Sequence, residues 1–402
     1  MRARHNRIAI IVLGALSALG PFSTDMYLPG FPAMARDLAT DAAHVGLTLT
    51  SFFIGITVGQ LLYGPVLDRY GRKKPLLFGL SVYIGAALGC ALAPSIHVLI
   101  CLRLFLALGG CAGMVGSRSV VRDLFSGGDI ARALSMLMMI FGIAPIIAPT
   151  VGGLVLAALG WRAIFCTLAA IAAFTLLAVK FFLPESKAED PSISLRPIPV
   201  LGEYRKVLGK RLFAVPAVAV GVASGGLFAY LAGAPFVLID LFGFTPTQCG
   251  WIFGVNAFAM VMGSQINRLW LRRQESATVL LSIAIAQSAG AVFLVVGGLM
   301  EFLSPFATVG LMFSYMFCFG FILPNATGLA LEPFSRNAGS ASALIGSLQM
   351  AAGAVTSALV SAFHSGTAVP MASVMAACSG VTLLMAFMRV RSPRPEYAPG
   401  SL

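Results

Sequence analysis

The stretch Gly64–Lys74 reads GPVLDRYGRKK and separates two long apolar runs of the chain. A related stretch, Gly263–Arg273, reads GSQINRLWLRR and lies 199 positions later, again between two apolar runs. This offset aligns Asn267 with Asp68 and repeats the basic residues around them. Repeated halves that rock about a site near the middle of the membrane are the architecture of many secondary transporters. The repeat therefore predicts two similar halves.

The composition excludes most soluble classes of protein. Of the 402 residues 58% are apolar and 10% are charged, and the mean hydropathy is +0.91. Soluble domains carry roughly 45–50% apolar and about 25% charged residues. A chain with so little charge cannot cover a surface that faces water. We therefore exclude a soluble enzyme, a nucleic-acid-binding protein and a secreted scaffold.

The apolar runs predict an all-α membrane protein with twelve transmembrane helices in two pseudo-symmetric six-helix bundles. A membrane-spanning helix needs about 20 mostly apolar residues. Residues 1–184 form the N-terminal bundle, 185–211 a cytoplasmic linker with a short surface helix around 200–210, and 212–402 the C-terminal bundle. The predicted spans are 8–29, 45–66, 75–94, 98–118, 133–157, 161–183, 212–239, 249–266, 277–299, 306–329, 340–363 and 368–388.

The distribution of basic residues predicts the orientation. With the N-terminus in the cytoplasm, 24 of the 27 Lys and Arg residues fall on the cytoplasmic side. Arg36 and Arg162 remain outside, and Arg103 lies within a span. Cytoplasmic loops of inner-membrane proteins are enriched in Lys and Arg. Both termini are therefore expected in the cytoplasm, and the net charge of +12 needs no nucleic acid to explain it.

Two charges within the spans are candidates for proton coupling. Asp25 lies four residues before the predicted end of span one, and Arg103 lies five residues after the start of span four. Both are therefore expected roughly 6–8 Å below the outer boundary. Burial favours the neutral form of an acid, whereas a nearby arginine favours the charged form. If the two separate and rejoin, Asp25 takes and releases a proton; a static ion pair is the alternative.

Polar and aromatic residues within the spans are candidates for a substrate pocket. Pro21 and Pro29 flank Asp25 and predict a distorted helix whose freed carbonyl groups line a cavity. A mostly apolar pocket with a few polar groups suits a lipophilic, drug-sized ligand. Each candidate is as readily explained by a hydrogen bond between helices. The candidates are Tyr27, Phe228, Tyr230, Asn256, Asn325 and Gln349.

Two small-residue motifs are candidates for conformational gating. In the first, Gly64 and Gly71 permit a close helix approach and a tight turn, and Asp68, Arg69 and Arg72 supply charges at helix ends. A plain positively charged loop is the alternative there. The second motif lies in span five, where small residues and a proline allow close packing and a bend. Its residues are Ala148, Pro149, Gly152 and Gly153.

The first motif resembles the signature of the major facilitator superfamily, and the second resembles the antiporter motif of its drug exporters. Further short motifs are similar to the bicyclomycin and chloramphenicol resistance (Bcr/CflA) subfamily. The resemblance implies a proton-coupled drug exporter of the bacterial inner membrane, usually monomeric. These motifs are TDMYLP at Thr24–Pro29, VRD at Val121–Asp123, GWRAIF at Gly160–Phe165 and PES at Pro184–Ser186.

The chain departs from the family pattern at three positions. Leu106 and Ala107 replace a glutamine and a glycine that follow the span-four arginine. Ser17 stands where a related multidrug exporter has a second acid. A single deep acid favours neutral or zwitterionic substrates over cationic ones.

We therefore expect export of a small lipophilic compound in exchange for protons. A proton-coupled importer of a nutrient is the alternative on the same fold, and an intramembrane enzyme and a receptor or scaffold are weaker candidates. No catalytic residue, metal site or cofactor is predicted, since the cysteines and histidines lack ligand spacing and no phosphate-binding loop occurs. The expected partners are the substrate, protons and the lipid bilayer.

Overall fold

The computed structural model describes residues 2–125, 128–191, 209, 211–332 and 338–391. No strand occurs among these residues, so the predicted all-helical fold is confirmed. The predicted surface helix around 200–210 lies outside the described residues, apart from residue 209. Within the described residues there are twelve long helices: α1 Arg2–Asp25, α2 Ala42–Arg69, α3 Lys73–Ala91, α4 Ile96–Leu124, α5 Gly128–Leu159, α6 Trp161–Phe182, α7 Arg211–Pro235, α8 Pro246–Trp270, α9 Ser276–Leu299, α10 Pro305–Leu331, α11 Ala338–Ala362 and α12 Val369–Arg391.

Each of these twelve helices contributes a segment that is long and apolar enough to cross a membrane. The first span differs from its predicted end at residue 29. After Asp25 the chain continues through a 3-10 turn, Leu28–Gly30, and a short helix, Phe31–Asp37. Both segments carry a proline in their first turn, where the missing N–H costs no hydrogen bond. The apolar segment therefore extends to Asp37, beyond the predicted end of the first span.

The helices pack as two groups. Helices α1–α6 pack mainly on one another, as do α7–α12, and the groups meet chiefly through α2 against α11 and α5 against α8. These two contacts are related by the repeat, because α8 corresponds to α2 and α11 to α5. We call the groups the first and the second half. The exact bounds proposed for the halves and the linker remain a prediction.

The halves are closed against each other at one end of the molecule. We call it the Pro246 end, after the first residue of α8, and the opposite end the Lys74 end. On α2, the Thr50 hydroxyl donates a hydrogen bond of 3.1 Å to the Ser357 hydroxyl of α11. On α8, Gly250 lies so near α5 that an added Cβ would come within 2.5 Å of the Pro149 carbonyl oxygen. Backbone contact of this kind leaves no passage between the helices.

The Lys74 end of the interface is more open. Arg118 on α4 is exposed, and so are Pro324 and Gly328 on α10, the helix that corresponds to α4. A Cβ added to Gly328 would meet no atom of the described residues within 4 Å. The halves are therefore packed more closely at the Pro246 end, and we call the gap between them at the Lys74 end the cleft.

Candidate transport site

Asp25 lies at the C-terminal end of α1, in the part of the first half that faces the second. Its residue surface is only 6% exposed. The segment that follows it, Leu28–Gly30, contacts α7 and α8 of the second half. The charge of this carboxylate reaches as far as Tyr230 on α7. A buried acid thus lies at the boundary that must move if the halves rock.

Arg103 is fully buried within the first half. Its guanidinium donates a 2.8 Å hydrogen bond to the Ser23 carbonyl oxygen, in the last turn of α1. A cation at this position interacts favourably with the negative end of the helix dipole. The guanidinium carbon lies 4.0 Å from the ring centroid of Tyr27 and 4.4 Å from that of Phe52. Aromatic faces and the helix end therefore hold this charge, although Nε and Nη2 have no hydrogen-bond partner.

Asp25 and Arg103 form no ion pair with each other in this conformation. Both belong to or contact the last turn of α1, but the Arg103 guanidinium donates to the Ser23 carbonyl oxygen there and not to the Asp25 carboxylate. Arg103 interacts with Tyr27 and Tyr83 inside the first half. The two side chains share one bundle and neither faces lipid, as the coupling hypothesis requires. Their roles in coupling remain a prediction.

Four of the six predicted pocket residues lie in the second half, on α7, α8 and α11, and one of them reaches the first half. The Nδ2 of Asn256 donates a 2.7 Å hydrogen bond to the Tyr230 hydroxyl, and its Oδ1 is buried without a partner. Phe228 reaches across the interface to Phe53 of α2, with ring centroids 4.2 Å apart. These residues combine an apolar surface with hydrogen-bonding groups.

Gln349 of α11 lies beside this group. Its Nε2 donates a 3.0 Å hydrogen bond to the hydroxyl group of Ser224 on α7. Gln60 of α2 faces Gly346 of α11, and the Gln60 Oε1 is buried without a hydrogen-bond partner. Phe53, Gln60 and Ser224 were missed by sequence reasoning, because helix periodicity does not indicate which residues meet across two halves.

Tyr27 and Asn325, the other two predicted pocket residues, lie apart from Phe228, Tyr230, Asn256 and Gln349. Tyr27 is buried among first-half residues, where its hydroxyl lies 3.2 Å from the Thr48 hydroxyl and its ring covers Arg103. Asn325 lies near the Lys74 end of α10 and donates a 2.7 Å hydrogen bond to the Asn267 side-chain oxygen. In this conformation both residues support neighbouring side chains of their own half.

The α5 motif connects the end of α1 to the second half. A Cβ added to Gly152 would overlap the carbonyl oxygen of Met26, the residue after Asp25. A Cβ on the adjacent Gly153 would lie 3.0 Å from the Pro246 carbonyl oxygen of α8. Pro149 and the buried Ala148 lie one turn away, where Pro149 contacts Gly250. The small residues of this motif therefore bring the Asp25 segment, α5 and α8 into direct contact.

The loop motif between α2 and α3 forms a charge network at the Lys74 end. The Arg72 guanidinium donates to Asp68 at 3.0 Å and to Asp123 of α4 at 2.8 Å. Gly71 has a φ of +78°, which a residue with a side chain rarely adopts, so the predicted tight turn is present. The close approach expected at Gly64 is not seen, because no atom of the described residues lies within 4 Å of a Cβ there.

The segment after α6 completes this network. The carboxylate of Glu185 accepts hydrogen bonds from the backbone N–H groups of Arg72 and Lys73, which begin α3. Lys187 donates to Asp68 at 2.6 Å, and the backbone N–H of Asp190 donates to the Arg69 carbonyl oxygen. Asp123 and Glu185 belong to motifs that the sequence used only for the resemblance. Each of these motifs places an acid next to a basic loop. That pairing was the sequence signal that could have placed Asp123 and Glu185 in this network.

Comparisons with known proteins decide the family. The family model of the major facilitator superfamily matches residues 13–357. The chain belongs to the major facilitator superfamily. It is 37% identical over 378 residues to an uncharacterized MFS-type transporter, YdgK, of Bacillus subtilis, covering 92% of each chain. It is 32% identical to the bicyclomycin resistance protein homolog of Haemophilus influenzae, covering 94% of each.

Further matches support the Bcr/CflA assignment and the fold. The facilitator is 27% identical to the multidrug resistance protein MdtL of Escherichia coli O139:H28, covering 96% of each chain. The crystal structure of a D-xylose-proton symporter superposes with a TM-score of 0.75 at 15% identity, covering 96% of this chain and 98% of that one. At that identity the structural likeness shows the fold alone.

Membership of this superfamily makes the protein a multi-pass inner-membrane transporter of small molecules and not an enzyme. No cluster of three or more His, Cys, Asp or Glu residues suited to a metal ion occurs in the part of the chain that the structure describes.

The charge network at the Lys74 end predicts a measurable energetic coupling between Arg72 and Asp123. Replacing Arg72 by Ala leaves Asp123 without its guanidinium partner, so we expect a lower unfolding temperature of the purified facilitator. The double variant Arg72→Ala/Asp123→Ala should lose less unfolding free energy than the two single variants lose in sum. Contacting charged residues show coupling energies of roughly 0.5–3 kcal/mol, and we expect about 1–2 kcal/mol for this pair.

The control pair is Arg132 and Asp129, whose charged atoms are 3.9 Å apart on an exposed surface. Exposed ion pairs contribute little to stability, so the same set of single and double variants at Arg132 and Asp129 should give a coupling energy near zero. Additive losses for Arg72 and Asp123 would mean that their contact is energetically unimportant.

Proposed function

We propose that the protein exports small lipophilic, antibiotic-like compounds from the cytoplasm in exchange for protons, by alternating access. Asp25 carries the proposal, because it is a carboxylic acid buried at the interface of the halves without an ion-pair partner among the described residues. Unpaired acids inside a membrane are costly and usually serve proton or substrate pathways. The drug-resistance names of two relatives support a drug as the cargo.

In this proposal Asp25 exchanges its proton during the cycle. A proton enters from the periplasm when the Pro246 end is open, and leaves to the cytoplasm when the Lys74 end is open. Protonation removes a charge beside Tyr230, so the affinity of the pocket for substrate changes with the protonation state. Arg103 serves as the alternative partner of the ionised carboxylate, and its aromatic surroundings hold it when Asp25 is protonated.

The orientation and the remaining partners belong to the same proposal. The excess of basic residues at the Lys74 end supports a cytoplasmic location for that end and for both termini. The conformation described above then opens to the cytoplasm and is ready to receive cargo. We propose a monomer in the bilayer. One acid in the site supports neutral or zwitterionic cargo, for which bicyclomycin is the first compound to test.

Transport into membrane vesicles tests this function. Inside-out vesicles from a strain lacking its major exporters are energised to acidify their interior, and the uptake of radiolabelled bicyclomycin is measured. We expect accumulation that nigericin and a protonophore abolish and that vesicles without the protein lack. Uptake of the compound only by energised right-side-out vesicles would instead indicate the alternative, a proton-coupled importer.

A further inference from the structure

Arg118 on α4 is a basic residue with no acidic partner among the residues that the structure describes. It is exposed, although it lies within an apolar membrane span. The groups that interact with it electrostatically are Arg122, one turn away, and Cys111, two turns away. Neither is an acid. The acids near the Lys74 end of the first half are engaged elsewhere, as Asp68 and Asp123 pair with Arg72.

The direction of Arg118 follows from the packing of α4. Gly109 lies against the α3 backbone at Tyr83, Gly113 lies against α1 at Leu16, and Cys111 lies against α2 at Gly59. At 100° per residue, position 118 falls between the α1 and α2 sides and opposite α3. Since α2 contacts the second half, this side of α4 is turned towards the interface between the halves.

Among the described residues, the surfaces that neighbour Arg118 place no acid beside it. On α1, Ser17 faces α4 and its hydroxyl lies 2.8 Å from the Ser117 hydroxyl. On α2, the nearest titratable side chain along this face is Tyr63, which interacts with Cys111. Across the cleft, α10 exposes Pro324 and Gly328. Arg118 is therefore an exposed positive charge at the mouth of the cleft, with no acidic partner among the described residues.

We propose that Arg118 is a substrate-selecting residue that recruits compounds carrying a carboxylate or another anionic group into the cleft from the Lys74 end. A guanidinium matches a carboxylate with two parallel hydrogen bonds, which adds geometric specificity to the charge. When the halves close over the Lys74 end, an unpaired Arg118 would be buried against the second half at a high cost. An anionic group on the cargo removes that cost, so closure is favoured with such cargo bound.

This inference rests on the proposed transport function and shifts its expected cargo from neutral compounds towards zwitterionic or acidic lipophilic ones. Binding to the purified protein tests it without any proton gradient. The probes are 2-naphthoate and 2-naphthamide, which have the same ring system and nearly the same shape but differ in charge. Calorimetric titration is performed in nanodiscs of phosphatidylcholine, with empty nanodiscs as the blank.

We expect the protein to bind 2-naphthoate more tightly than 2-naphthamide. Arg118→Gln should weaken binding of the acid about tenfold and leave binding of the amide unchanged, since only the acid loses a charge-assisted hydrogen bond. Arg118→Lys should restore part of the preference, because it keeps the charge and loses the paired geometry. The control, Lys180→Gln, removes an exposed positive charge from the same end on α6 and should change neither affinity.

Other outcomes would overturn the proposal. Absence of acid binding, or an equal loss for both probes in Arg118→Gln, would show that the arginine does not recognise anionic groups. If adding phosphatidylglycerol to the nanodiscs abolished the preference of the unmodified protein for 2-naphthoate, Arg118 would be reassigned as a binding residue for a lipid headgroup. Failure of proton-driven transport with the probe preference intact would contradict the transport mechanism and leave the Arg118 assignment standing.

Discussion

Asp25→Asn is expected to reduce proton-driven accumulation of the cargo to the level of vesicles that lack the protein. Asparagine keeps the shape of the side chain but cannot take up or release a proton. One proton moving down 100 mV supplies about 2.3 kcal/mol, which sustains a concentration ratio of about fifty for a neutral compound. Without that exchange the ratio should fall to about one. Radiolabelled bicyclomycin in energised inside-out vesicles provides the measurement.

Two further measurements distinguish coupling from misfolding. Exchange of labelled for unlabelled compound across vesicles without a gradient should persist in Asp25→Asn, because it requires the conformational change and no net proton movement. The unfolding temperature should not fall, since the carboxylate makes no ion pair that the substitution removes. Glu301→Gln, in the exposed loop after α9, is the matched control and should transport normally. Uphill export by Asp25→Asn would eliminate the proposed coupling role.

Gly250→Ala is expected to shift the protein out of the conformation that is closed at the Pro246 end. The new methyl group would lie within 2.5 Å of the Pro149 carbonyl oxygen, and backbone atoms of α5 cannot yield as a flexible side chain can. Overpacking of this kind typically costs 1–3 kcal/mol, or about a five- to hundredfold shift in the balance of two conformations. We expect transport to fall about tenfold or more.

Thiol labelling detects this shift directly. Thr150 lies beside Gly250 at the closed contact, so a cysteine placed there should react slowly with an impermeant maleimide and several times faster in the Gly250→Ala background. Alanine is a better helix former than glycine by about 1 kcal/mol, so loss of helix is not the cause of any defect. Gly290→Ala is the control, because a Cβ there meets no atom of the described residues within 4 Å. Unchanged labelling would mean that this contact does not set the conformation.

The motif on α5 shows why these two predictions are connected. Gly152 holds the backbone just after Asp25, and Gly153 faces the first residue of α8. A change in the Asp25 segment is therefore transmitted to the contact that closes the Pro246 end through two adjacent residues. Small residues are required at both positions because each faces the backbone of another helix.

The amino-acid sequence by itself determined the membrane class, the twelve helices and the repeat. These properties depend on local composition, since each span must be apolar over its own length to lie in lipid. Asp25 and Arg103 were recognisable for the same reason, because a charge in an apolar run is visible without any knowledge of its neighbours. The end of the first span was misplaced, because Pro29 and Pro32 begin new helical turns within the membrane.

The tertiary structure decided which groups meet. It placed Arg103 among aromatic rings at the end of α1, where it donates to the Ser23 carbonyl oxygen, although the sequence allowed an ion pair with Asp25. It brought Glu185 to Arg72, more than a hundred residues away in the chain. It also left Arg118 facing an open cleft. Such contacts depend on how whole helices pack against one another, and the periodicity of one helix carries no information about the face that another presents to it.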